Sequence, residues 1–220
     1  MRKYSLIGLF IISSCTFVHA QQHDPDLLYI KSRMDSIQSF SVDLTLEVDI
    51  SFIHMPSKKA KMKYTKNKPI KFSSADFVML PKRGLDFTLN SLLSYSYITV
   101  PRGEEIRNGK KYKALNIVPT DPNSDFSIAL LLIDISNMRV TESEISTRKD
   151  GTYKLLMNYD KPTAILPAKV EVAFEVQRIR IPFNFMGKDT DIDRKKMRES
   201  GSKTGKIFLT MSNYIIEHIR

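Results

Sequence analysis

Residues 41–52 read Ser41-Val42-Asp43-Leu44-Thr45-Leu46-Glu47-Val48-Asp49-Ile50-Ser51-Phe52. Apolar and polar side chains alternate along the whole stretch, and successive side chains of a strand point to opposite faces. The run is therefore a long strand with a dry face of Val42, Leu44, Leu46, Val48, Ile50 and Phe52 and a wet face opposite. The pattern resumes after a turn at Met55-Pro56-Ser57, where Ala60, Met62 and Tyr64 alternate with Lys59, Lys61 and Lys63. Glu47 and Asp49 are expected to face those lysines as cross-strand pairs.

Upstream lies a different period. Asp24 reads as a helix N-cap, with Pro25 at the first helical position and Asp26 in the first turn. Leu27, Ile30, Met34 and Ile37 form one apolar stripe, which predicts a short amphipathic helix ending near Gln38-Ser39. Downstream, strands are expected near residues 72–79, 95–100, 112–118, 129–135, 139–145, 153–159, 168–176, 178–183 and 206–216. Turn signals separate them at Pro101-Arg102-Gly103, Asn108-Gly109, Asp121-Pro122-Asn123 and Asp150-Gly151, the last a two-residue hairpin signal. A short helix or lid segment is expected at residues 87–93, and a long exposed hairpin loop at 187–205. The fold class is mainly β with minor α: one antiparallel sheet, curled because so broad a twisted sheet does not stay flat, with short helices as filler or lid.

Arg2 and Lys3, the apolar run from Ser5 to Ile12, and Val18-His19-Ala20 have the order of a secretory leader cleaved after Ala20. The expected mature domain is then a single one, residues 21–220, exported to the periplasm. Ile12-Ser13-Ser14-Cys15 also loosely fits a lipobox, which would leave the protein membrane-anchored through a lipidated Cys15. Loss of Arg2 and Lys3 takes the formal charge from +10 to +8. Such a balance favours an anionic membrane surface or an acidic partner, and Lys59, Lys61 and Lys63, on one strand face, are the candidate contact. Export argues against nucleic acid. A monomer is expected.

Catalytic signals are weak. The three histidines after the leader, His23, His54 and His218, stand in no metal or nucleophile motif. Asp189-Thr190-Asp191-Ile192-Asp193 opens like a calcium loop, but Arg194 stands where the glycine belongs. Glu142 and Glu144 on one strand face read as surface carboxylates. No catalytic residue, metal or cofactor is assigned. Nine methionines after Met1, with phenylalanines and tyrosines but no tryptophan, give a soft apolar lining, and the helices are too few to cover it.

The run from Leu28 to Leu44, a helix leading through Ser39-Phe40 into the first long strand, resembles the opening of LolA-type periplasmic lipoprotein carriers. Lys68-Pro69-Ile70-Lys71-Phe72 is similar to their Arg-Pro-x-x-Phe segment, and Asp150-Gly151 to their late hairpin. The resemblance implies an unclosed half-barrel with a helical lid, and a cavity that buries acyl chains of lipoproteins or other lipids. The expected lining is Val42, Leu44, Leu46, Val48, Ile50, Phe52, Met62, Tyr64, Tyr95, Ile117, Ile133, Leu155, Met157, Val172 and Phe174, with Leu27, Ile30 and Met34 on the lid. Lys68 stands where the carriers have a lid-holding arginine and is the latch candidate. The function so implied is a carrier in outer-membrane lipoprotein sorting and not an enzyme. The alternatives are an envelope sensor or interaction module with a filled interior, or an enzyme on the same scaffold.

Overall fold

A computed structural model describes residues 23–74, 92–176 and 189–219. The leader, most of the 87–93 segment and the 178–183 strand expectation lie outside the described residues. Helix α1 spans Pro25–Asp35. Strand β1 spans Ile37–Asp49, β2 Ile53–His54, β3 Lys58–Thr65 and β4 Lys71–Ser73. Then come β5 Tyr97–Arg107, β6 Lys110–Pro119, β7 Phe126–Asp134, β8 Arg139–Thr147, β9 Gly151–Asn158 and β10 Lys169–Val176. The chain continues through β11 Asp191–Ile192, the short helix α2 Arg194–Arg198 and β12 Lys203–His218.

Ten strands form one antiparallel sheet in the order β4-β3-β1-β12-β10-β9-β8-β7-β6-β5, while β2 and β11 pair separately. Among the described residues the sheet is not closed into a barrel. The first and last long strands are neighbours, third and fourth in that order, so β1 and β12 tie the two ends of the described chain together. Buried residues alternate along β1 at Val42, Leu44 and Leu46, as the period-two reading requires.

The N-terminus of α1 is built as the sequence implies. The Asp24 carboxylate accepts from the backbone N–H groups of Asp26 and Leu27 at 3.1 and 3.3 Å. Lys113 on β6 binds both Asp24 and Asp26 at 2.6 Å. Burial alone would lower the Lys113 pKa, and the two carboxylates outweigh it and raise it. Asp24→Ala removes the cap and half of this clamp, so a loss of about 2 kcal/mol is expected. Chemical denaturation checks it, and a loss no larger than that of Asp24→Asn would show that the charge contributes nothing.

Several local expectations are corrected. The helix ends at Asp35, with Ser36 as its C-cap, and Ile37 opens β1 instead of continuing the stripe. The 41–52 alternation also outruns the strand. β1 stops at Asp49, and Ile50 and Phe52 sit in a tight turn closed by an Ile50–Ile53 bridge. The lysines of β3 oppose earlier residues of β1 than expected: Lys61 faces Asp43, at 3.7 Å, and Lys59 faces Thr45. Glu47 and Asp49 instead lie beyond the β3 register, opposite Phe208 and Lys206 of β12.

Of the strand expected at 72–79, the described part runs only from Lys71 to Ser73. The described part of the 187–205 loop carries β11 and α2, with Asp193 capping α2 and Asp189 bound to the buried Lys58. Asn108 and Gly109 form the tight turn between β5 and β6, both with positive φ. The Asp150-Gly151 hairpin is longer than two residues and is organised by the Thr147 hydroxyl, which accepts from the N–H groups of Asp150 and Gly151. Gly151 has φ +126°, and a Cβ there would stand 2.1 Å from the Glu175 carbonyl oxygen, so only glycine fits.

Candidate functional site

Helix α1 covers only part of the sheet. Leu27 and Ile30 are buried in a cluster built on β6, β7, β8, β9 and β10, with Leu115, Ile117, Leu131, Ile133 and Ile145 among its members. A second cluster, on β1, β3 and β12, is formed by Val42, Leu44, Leu46, Ala60, Leu209 and Met211. Eleven helical residues extend about 16 Å at 1.5 Å per residue, too short to roof a ten-stranded sheet. Between the two clusters lies a cavity of about 340 Å³, at the lower end of the roughly 300–1,000 Å³ of ligand sites.

The cavity wall names the strands that curl around it. Phe40 and Leu44 come from β1, Met62 and Tyr64 from β3, and Phe72 from β4. Leu131, Val140, Leu155, Met157, Val170 and Val172 come from β7, β8, β9 and β10, and Leu209 and Met211 from β12. Ile30, Arg33 and Met34 of α1 and Ile165 and Pro167 of the β9–β10 loop complete it. Three methionines on the sheet and one on the helix make that lining deformable.

Tyr159 and Tyr214 reach the cavity without offering charge to it. The Tyr159 hydroxyl donates to the Val140 carbonyl at 2.7 Å, and burial pushes its pKa up to about 12. The Tyr214 hydroxyl donates to the Pro167 carbonyl at 2.8 Å, and burial raises its pKa as well. Both stay neutral at ordinary pH, with their oxygens turned to backbone partners. The chemistry available inside is burial of hydrocarbon.

Cations hold the lid. Arg33 donates to the carbonyls of Asn137 and Met138 at 3.1 and 3.0 Å, and to Thr163 at 3.2 Å. One guanidinium thus ties α1 to both the β7–β8 turn and the β9–β10 loop, a use of its planar fork that lysine cannot copy. Lys66 donates to the carbonyl of Asp35, at the C-terminal end of α1, at 2.8 Å. Behind Arg33, the Arg139 guanidinium lies 4.3 Å from the centre of the Tyr159 ring and donates to the Lys161 carbonyl.

The residues expected at the cavity divide by strand. Leu44, Met62, Tyr64, Leu155, Met157 and Val172 line it, as do Ile30 and Met34 on the lid. Leu27, Ile117 and Ile133 are fully buried inside the first cluster, and Tyr95 packs against that cluster. Val42 and Leu46 lie within the second. Ile50 and Phe52 form a third cluster with Ile53, against which Val48 and Phe174 pack. Lys68 is exposed in the turn after β3, where its N–H donates to the Thr65 carbonyl. The described contacts that latch α1 belong to Arg33, Lys66 and Lys113. Arg33 lies off the apolar stripe of α1 and drew no reading from the sequence, because nothing local pairs it with residues 137–163.

Glu142, one of the carboxylates weighed for catalysis, is bound to Lys154 at 2.8 Å. Among the described residues no group of His, Asp or Glu is placed to hold a metal ion, and no helix is long and apolar enough to cross a membrane.

No family model matches the chain, and no curated protein does. Solved structures do. A DUF1329 family protein from Desulfovibrio piger superposes with a TM-score of 0.56 at 13% identity, over 87% of this chain and 91% of its own. A LolA superfamily protein from Nitrosomonas europaea overlaps with a TM-score of 0.48 at 11% identity, over 88% of this chain and 94% of its own. The chain shares its overall fold with the Desulfovibrio protein. At 13% identity the agreement with the Desulfovibrio protein is one of fold alone.

Proposed function

We propose that the protein is a periplasmic carrier that buries acyl chains of a lipid or lipoprotein in the cavity between α1 and the sheet, and that it catalyses no reaction. The observation that carries this reading is the cavity itself. A space of about 340 Å³ is lined mostly by aliphatic, methionine and aromatic side chains, with Arg33, Arg139 and Ser143 as its polar members, and is bridged by a helix pinned by its own arginine. Each methylene moved there from water contributes roughly 0.8 kcal/mol. The ligand-binding residues are then Leu44, Met62, Tyr64, Leu155, Met157 and Val172 on the sheet, with Ile30 and Met34 on the lid. The Tyr159 and Tyr214 oxygens are engaged with backbone, so selectivity for a headgroup would lie at the cationic Arg33 rim. In this reading residues 1–20 are a leader removed after Ala20, residues 21–220 form one lipid-binding domain, and lipoprotein sorting at the outer membrane is the process served.

Native mass spectrometry of protein purified from the periplasm without detergent tests the proposal. The expected spectrum shows an adduct of lipid mass that is lost on denaturation, on a chain starting at Gln21. A chain that is free of adduct and also resists loading with an acylated peptide would overturn it.

A further inference from the structure

The reverse side of the cavity wall carries a second arrangement. Lys71 of β4 stands opposite Lys63 of β3, Lys63 opposite Ser41 of β1, and Ser41 opposite Ile215 of β12. These four residues form one row across four neighbouring strands. At about 4.8 Å between strands the row is about 14 Å long. Met62, Tyr64 and Phe72 of the same strands point the other way, into the cavity, so the row is on the outer face.

Two features of the row work against the isolated fold. Lys63 and Lys71 are like charges directly opposed across a strand pair, which is destabilising. Ile215 is 69% exposed on the same face. The neighbouring rung adds Lys61, whose described acidic contact is Asp43 at a loose 3.7 Å. Lys68 extends the charge into the exposed turn beyond β3. An anionic interface with an apolar layer beneath it relieves both features at once. Headgroups neutralise the opposed lysines, and the isoleucine enters the acyl boundary.

We infer that the outer face of the β4-β3-β1-β12 rim docks the protein on an anionic lipid bilayer, through Lys63 and Lys71 with Ile215 as the apolar anchor. Lysine, a flexible point charge on an apolar stem, suits diffuse, mobile headgroups, whereas the planar arginine fork suits carboxylates and phosphates held in fixed geometry. Docking there would bring the cavity wall within one strand's thickness of the membrane. This deepens the carrier reading and rests on it, because it names the surface at which cargo is collected or delivered.

Vesicle flotation of the mature protein tests the assignment. Vesicles of phosphatidylcholine containing phosphatidylglycerol are expected to carry the protein upward, those of phosphatidylcholine alone are not, and high salt should release it. Lys63→Glu with Lys71→Glu is expected to weaken partitioning by at least roughly thirtyfold, the loss that removing two lysines of ordinary electrostatic effect at an anionic surface implies, with repulsion by the glutamates added to it. Ile215→Ser should weaken binding severalfold and leave the salt dependence in place. No binding to the anionic vesicles, or binding indifferent to the double charge reversal, overturns the inference. So does retention by polyglutamate with none by vesicles, which would assign the row to an acidic protein. Acyl loading of the same variants is read separately by mass. A loaded protein that ignores vesicles refutes the docking surface alone, and one that floats but never loads refutes the carrier reading.

Discussion

Asp134→Ala is expected to cost about 3 kcal/mol of stability, read as a fall of roughly 6–12 °C in melting midpoint for a domain of this size. The Asp134 side chain is 1% exposed at the end of β7. Its carboxylate accepts from Lys110 at 2.6 Å and from the Asn137 side chain and backbone N–H at 2.8 and 3.3 Å. The Arg139 Nε lies 3.6 Å away, an ionic contact too long for a hydrogen bond. Alanine would leave a mostly buried guanidinium without its counter-charge. It would also untie the turn whose Asn137 and Met138 carbonyls receive Arg33, so amide exchange in α1 should quicken along with the loss of stability. A variant with unchanged exchange in α1 would uncouple the turn from the lid.

The same residue fixes a pH dependence. Burial would raise the Asp134 pKa, but the bonds from Lys110 and Asn137 outweigh it and hold the carboxyl below its usual value. A folded-state pKa below the unfolded one stabilises the protein fully above the unfolded value, about 3.9, and that stability drains as pH falls through the folded value. The difference in melting midpoint between wild type and Asp134→Ala should therefore be constant near neutrality and shrink below about pH 4. A gap that persists in acid would show that the carboxylate's charge is not what stabilises the turn.

Val170→Trp is expected to lower acyl-chain loading at least tenfold while the protein still folds. Val170 touches both large core clusters and lines the space between them, so an indole there fills the cavity from its floor. Overpacking of a closed core costs typically 1–3 kcal/mol, whereas here the added volume has somewhere to go, and the melting midpoint should move by only a few degrees. Titration with a fluorescent fatty acid, alongside a melting curve, separates the outcomes. Full loading in a folded variant would place the ligand elsewhere.

Much of this architecture was legible in the sequence, because a two-residue period survives wherever one sheet face is dry. The β1 alternation, the Asp24 cap and the Asn108-Gly109 turn are each set by neighbours a few residues away. Register is not. Glu47 and Lys61 are compatible in sequence, yet the chain brings Asp43 to Lys61 because the Ile50–Ile53 turn uses up the end of the run. The cavity was legible as a dry face, and its boundary was not. Ile117 and Leu155 read alike in sequence, and what separates them is the short reach of α1, which seals one and leaves the other at the wall. Lid retention was the least legible part, since Arg33 closes contacts across more than a hundred residues.

Among the described residues the sheet edges at β4 and β5 are unjoined, which gives the molecule a mechanical property. A closed barrel has a girth fixed by strand number and shear, so widening its lumen means breaking ladder bonds. An open sheet changes its bore by unbending, with every strand pair kept, and the restoring force is the elasticity of the twist together with the tension of the arginine strap. Such a container would be graded in capacity instead of shaped to one guest. Chains of different length or number would be accommodated at a cost that rises smoothly with the splay of its lips.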